Sequence, residues 1–185
     1  MSSSALATGV RVYDIDPAHT NVNFSVRHMM ISNVRGEFTK VTGTVAFDPN
    51  SLQASKVEAV IDASSIHTRD DQRDTHLKSH DFLDVEHYPA IRFQSTRIEN
   101  DGSDGYIVHG GLTVHGVTRE VAVKVEEVTP ETRDPWGNVR VGASARARFK
   151  RSDFGLTWNQ VLEAGGLLVG DELTVTIDAE LKRRL

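Results

Sequence analysis

The sequence predicts an all-β fold, a single antiparallel up-and-down barrel of eight strands. Three observations carry that reading. Apolar and polar residues alternate along most of the chain, the period of a sheet with one wet and one buried face. Turn-forming clusters such as Asp48-Pro49-Asn50-Ser51, Asn100-Asp101-Gly102 and Asp134-Pro135-Trp136-Gly137 separate the runs. Several runs reach about ten residues, against a usual five or six, and long antiparallel strands lose their exposed edges by closing on themselves.

The elements follow in chain order. A short run near 11–15 comes first. Asn21 to Arg27 then places Val22, Phe24 and Val26 on one side. Runs near 34–47 and 57–66 carry Phe38, Phe47 and Ile61, and those near 90–99, 106–115 and 119–127 carry Phe93 and Leu112. Alternation is strictest from Val139 to Phe149, where odd positions are apolar and even ones polar or glycine. Leu173 to Leu181 repeats the pattern through Ile177.

Residues 69–79 break the pattern and predict a helix. Thr68 is placed as its cap, with Asp71 three residues on as a weak capping box. Asp74 and Lys78 stand four apart in the favourable order. Leu77 is the only strong apolar residue, too little for a core-facing stripe. The helix is therefore expected across one barrel end, anchored by Leu77, Phe82 and Leu83. Residues 158–163 read as a second short helix or a loop, before Gly165-Gly166 and Leu167-Leu168-Val169.

Length and composition bound the rest. The 185 residues fit one domain over 1–185, with a core of about 13–181 and a flexible segment at 1–10. Cysteine is absent, which excludes disulfides and thiolate chemistry. With 26 acids against 21 bases the net charge is −5, which argues against a nucleic-acid partner. Met1 to Thr8 has neither the basic nor the apolar region of a secretion signal, so the expected compartment is the cytoplasm.

An eight-stranded barrel is either filled by side chains or wide enough for one small ligand. Ala143, Ala145 and Ala147 lie in a row, and Gly110 shares a face with Leu112; small residues there leave volume, unless bulky partners fill it. If the barrel is hollow, alternation selects Phe24, Val26, Phe38, Phe47, Ile61 and Phe93 as its lining. Leu112, Val141, Phe149, Trp158, Leu168 and Ile177 complete the expected ligand-binding wall.

Reactive constellations are weaker. His76 and His80 have the four-residue spacing of a metal pair, and His87 is near enough in sequence to serve as a third ligand. The His-Glu-x-x-His form is missing, so a solvated helix face is the preferred reading. His28, His67 and Arg69 are expected at a barrel rim, where they could meet a polar headgroup. Arg146, Arg148, Lys150 and Arg151 read as a solvated basic stripe, with at most weak attraction to a membrane surface. No nucleophile elbow or phosphate loop occurs, and no catalytic residue, metal or cofactor is assigned.

Several motifs in order resemble the YceI-like family. They are Tyr13-Asp14-Ile15-Asp16-Pro17-Ala18-His19-Thr20, Phe24-Ser25-Val26-Arg27-His28 and Val34-Arg35-Gly36-Glu37-Phe38. His76-Leu77-Lys78-Ser79, Asp81-Phe82-Leu83-Asp84 and Tyr88-Pro89 follow. Gly111-Leu112-Thr113-Val114-His115-Gly116-Val117-Thr118 and Asp153-Phe154-Gly155-Leu156 close the set. The resemblance implies a lipocalin-like barrel that binds, carries or stores a long isoprenoid, such as a polyprenyl phosphate or an isoprenoid quinone, without catalysis. Many members of the family are periplasmic. A homodimer is compatible with this reading. Two alternatives stay open: a metal-dependent barrel enzyme using the histidines, and a solid barrel serving stress response or interaction.

Overall fold

A computed structural model describes residues 9–185; the expectation of flexibility at 1–10 falls almost wholly outside them. Twelve strands form one antiparallel sheet that closes on itself. They are β1 Arg11–Ile15, β2 Asn21–His28, β3 Ser32–Phe38, β4 Val41–Phe47, β5 Lys56–Asp62 and β6 Ile66–His67. After helix α1, Asp71–Lys78, come β7 Ala90–Asn100, β8 Tyr106–Val114, β9 Val117–Val128, β10 Thr132–Arg133, β11 Val139–Lys150 and β12 Val169–Arg183.

The first six strands are three long strands, each interrupted once. One edge of β12 pairs with β2 through Leu173–Asp178 and with β1 through Leu181–Arg183, so β1 and β2 run end to end. β3 and β4 pair with β2 and β1 respectively, and β6 and β5 with β3 and β4. With β7, β8, β9, β11 and β12 the circuit has eight members. It closes where β11 meets the other edge of β12, in register from Arg140↔Lys182 to Lys150↔Glu172.

The interruptions have local causes. Pro17 between β1 and β2 cannot donate to a ladder. The Thr20 hydroxyl steps in and accepts from the Glu180 backbone N–H at 3.2 Å. Between β3 and β4, the backbone N–H groups of Thr39 and Lys40 turn to the carbonyl and hydroxyl of Ser65.

Helix α1 caps the barrel end opposite the start of β1 and the end of β12, called here the upper end. Eight residues with one strong apolar side chain do not make a stable helix alone, so tertiary anchors hold it. Asp70, not Thr68, caps it, accepting from Arg73 N at 3.0 Å. Thr68 instead donates its backbone N–H and hydroxyl to Asp74 Oδ1, at 2.9 and 2.5 Å. Asp74 is buried in that contact and is engaged by Thr68 and His67 rather than by Lys78. Beyond the helix, Phe82 and Leu83 are both buried; Leu83 packs with Ile66, Phe154 and Leu156 to plug the upper end, and Phe82 meets His76 and Trp158.

Residues 158–163 form no helix. The segment loops back on itself through a bridge between Val161 and Leu167. Nor does Arg151 continue the basic stripe of Arg146, Arg148 and Lys150, which are exposed. The strand ends at Lys150, and the tight turn Arg151–Phe154 swings Arg151 inward until it is 6% exposed.

At the lower end Arg140 ties three segments together. It donates to Asp16 Oδ2 at 2.6 Å, Glu180 Oε1 at 2.6 Å and Asp134 Oδ2 at 2.8 Å. Bonds from Arg140 and His19 hold the Asp16 carboxyl at about 2, against its ordinary 3.8. Burial pushes the Asp134 carboxyl up, but bonds from Arg140 and Asn138 more than offset this and leave it lowered. A depressed carboxylate contributes stability above its unfolded pKa and loses it as pH falls through the folded one. Asp16's share, about 2 kcal/mol, should therefore be complete above pH 4–5 and vanish toward pH 2. Arg140→Met should move the acid-unfolding midpoint, followed by far-ultraviolet circular dichroism, to higher pH. An unchanged midpoint would rule out this network as an acid-stability element.

Candidate functional site, an apolar barrel cavity

The barrel is hollow. Its interior holds a cavity of about 530 Å³, within the range of small-molecule sites. Side-chain size along β11 explains the space. Its inward residues Ala143, Ala145 and Ala147 oppose Ala179, Ile177 and Val175 of β12, and these partners do not fill the middle.

Two glycines set where aromatic rings lie on the wall. A Cβ on Gly36 would stand 2.5 Å from the Phe24 ring, and one on Gly110 would stand 2.6 Å from the Phe93 ring. Each ring sits against a neighbouring backbone that only glycine leaves bare. Phe24 then meets Phe38 with ring centres 5.7 Å apart, and Phe149 meets Phe154 edge-on at 5.5 Å.

Ten of the residues expected from alternation face this space. They are Phe24, Val26, Phe38, Phe47, Ile61 and Phe93 on the first strands, then Leu112, Val141, Phe149 and Ile177. Two expectations are corrected. Trp158 lies outside the upper plug, with ring centres 5.2 Å from Phe82 and 4.7 Å from His76, because the loop after Arg151 passes over the lid rather than into the barrel. Leu168 is replaced on the wall by its neighbour Val169, the opposite face of the strand.

The expected rim of His28, His67 and Arg69 is also corrected. His28 pairs with Ser32, whereas His67 pairs with Glu37, five residues further along β3 and so roughly 16 Å away. His67 is engaged by Asp74 at 3.3 Å, Arg69 is exposed, and none of the three lines the cavity.

His76 and His80 converge on a carboxylate. Asp81 takes His76 Nε2 at 2.8 Å and His80 Nε2 at 3.4 Å, while His87 is held by Asp84 at 2.9 Å. His76 also packs edge-on against Phe82 at 5.0 Å, so it is part of the lid rather than a solvated face. Asp16, His19 and Glu180 are the metal-ligand type residues that do cluster among those described, and Arg140 already supplies their counter-charge.

Alternation left one part of the wall unremarked. At the lower end the cavity is polar, where Arg11, Tyr13, Thr129 and Glu131 reach it. The Tyr13 hydroxyl donates to Glu131 Oε1 at 2.7 Å, and Arg11 Nη1 approaches the same oxygen at 3.3 Å. Burial, then the bond to Glu131, raises the Tyr13 phenol, and the same bond leaves the Glu131 carboxyl lowered. The signal was present in Arg11-Val12-Tyr13-Asp14-Ile15, whose odd positions share the inner face.

The YceI-like domain family model matches residues 13–181. The chain belongs to the YceI-like family. A UPF0312 protein of Pectobacterium atrosepticum is 36% identical over 156 residues, 84% of this chain and 80% of the relative. The crystal structure of the Campylobacter jejuni YceI protein covers all of both chains at 28% identity and a TM-score of 0.71. A polyisoprenoid binding domain from Saccharophagus degradans, implicated in plant cell wall breakdown, shares the fold at 15% identity. Its TM-score is 0.64, over 93% of this chain and 98% of that one. For this YceI-like chain the overall fold is thus shared with a solved member of the family. Among the described residues no helix is long and apolar enough to cross a membrane.

Proposed function

We propose that this protein binds a long-chain isoprenoid lipid in the barrel cavity, as a carrier or store, without acting on it chemically. The single observation that carries the reading is a closed barrel enclosing about 530 Å³ behind an almost wholly hydrocarbon wall. At roughly 30 Å³ for a water-sized group, that volume admits on the order of eighteen such groups, or three to four isoprene units. Each buried methylene contributes about 0.8 kcal/mol, so an apolar tail binds firmly with few hydrogen bonds. The family and the polyisoprenoid-binding neighbour support the same ligand class.

The ionisable groups on the wall support binding rather than catalysis. A general acid or base works best with a pKa near the working pH. Tyr13 is shifted up and Glu131 down, both away from neutrality. The guanidinium of Arg151 is committed to backbone carbonyls.

Gentle native mass spectrometry of purified protein, followed by solvent extraction and lipid analysis, tests the reading. The expected result is one isoprenoid per barrel, or uptake of one by protein stripped of lipid. Stripped protein that takes up no isoprenoid from detergent micelles would overturn it.

A further inference from the structure

Arg11 poses a question that the fold does not answer. Its Nε is buried, and it has no hydrogen-bond partner among the described residues. A guanidinium donor withdrawn from water and left unpaired costs folding free energy, so a group in this position needs a compensating role. Its surroundings indicate which one. Glu131 is the carboxylate of this corner, and it is already shared. Tyr13 donates to it at 2.7 Å, Arg11 Nη1 lies 3.3 Å from it, and Arg183 Nη1 lies 3.4 Å from each of its oxygens. Two guanidinium groups thus face one carboxylate, and the corner retains a surplus positive charge at the end of an apolar cavity.

We infer that the Arg11–Tyr13–Glu131 corner is the headgroup site of the bound lipid, and that it takes an anionic oxygen carried on the end of the apolar tail. The assignment rests on the lipid-binding reading above and adds an orientation to it. The tail points up toward the lid, and the head lies at the lower end beside the start of β1 and the end of β12. This is the end opposite His28, His67 and Arg69. Arg11 supplies a donor beside Phe47, its neighbour across β1 and β4. Glu131 moderates the affinity, because its charge disfavours the anion that Arg11 attracts.

The test uses the full chain stripped of lipid, with farnesyl phosphate, farnesol and farnesane as probes of shared tail and different head. Wild-type protein should prefer the phosphate. Arg11→Met keeps the apolar stem and should weaken phosphate binding about 10- to 100-fold, leaving farnesane within about twofold. Glu131→Gln should tighten phosphate binding several-fold, a gain that misfolding cannot mimic. Inorganic phosphate should not displace farnesyl phosphate; displacement would indicate a free-anion site and overturn the tail-linked assignment. Equal affinity for all three probes, unchanged by either substitution, would overturn the headgroup site while leaving the cavity reading intact. Failure of wild-type protein to take up any probe would overturn both.

Discussion

Ala145→Phe should abolish most lipid binding and leave the fold intact. Ala145 stands at mid-height on β11, between Val125 of β9 and Ile177 of β12, and its methyl faces the cavity. A phenyl ring there enters existing space, so the overpacking cost of a filled core does not arise. It displaces about six carbon atoms of ligand, worth roughly 3–5 kcal/mol of buried contact. Affinity for an isoprenoid should fall by about two to four orders of magnitude, while the unfolding free energy changes by less than about 1 kcal/mol. Calorimetric titration and urea unfolding read the two quantities separately. Undiminished affinity would mean that the tail lies somewhere other than the barrel interior.

Arg151→Met should act the opposite way, on the fold first. The guanidinium of Arg151 donates to four backbone carbonyls. They are Gly170 at 2.8 Å, Leu156 at 2.8 Å, Trp158 at 2.9 Å and Val169 at 3.3 Å. It therefore pins the loop over the lid to the start of β12. A methionine fills similar volume but leaves those acceptors unpaired, at a cost of about 3–5 kcal/mol. For a chain of this length that corresponds to a fall in Tm of roughly 10–15 °C, measurable by scanning calorimetry. A fall of only a degree or two would show that water satisfies the carbonyls and that the loop does not depend on Arg151.

The strands were legible in the sequence because each depends on local alternation and local turns. The strict run of β11 and the repeat in β12 appear at their expected positions. Alternation also sorted wall from exterior, since a strand can present only one of its two faces to the cavity. What it could not supply was the path of irregular backbone. Trp158 is as apolar as any wall residue, but it follows a loop whose course is decided by Arg151 and the lid. His28 and His67 both lie toward the upper end, yet the strand register holds them apart. Thr68 looked like a cap because its type suits one, whereas the buried Asp74 claimed both of its donors. Arg11 was overlooked because a basic residue near a terminus reads as solvated. Its partial burial goes with Glu131, just before β10, coming within 3.3 Å of it.

The position of β12 also dictates the order in which the molecule can be completed. Of the barrel strands this one is synthesised after all the others, and it joins β1 and β2, synthesised before the rest, to β11. Until it arrives, the sheet is an open trough with two bare edges and a greasy inner face, a form prone to wrong association. Partners so distant along the chain also make closure slow. The barrel is therefore most vulnerable in the interval before β12 seats. A hydrophobic guest present during that interval could be enclosed as the wall is finished, with no need to pass the lid.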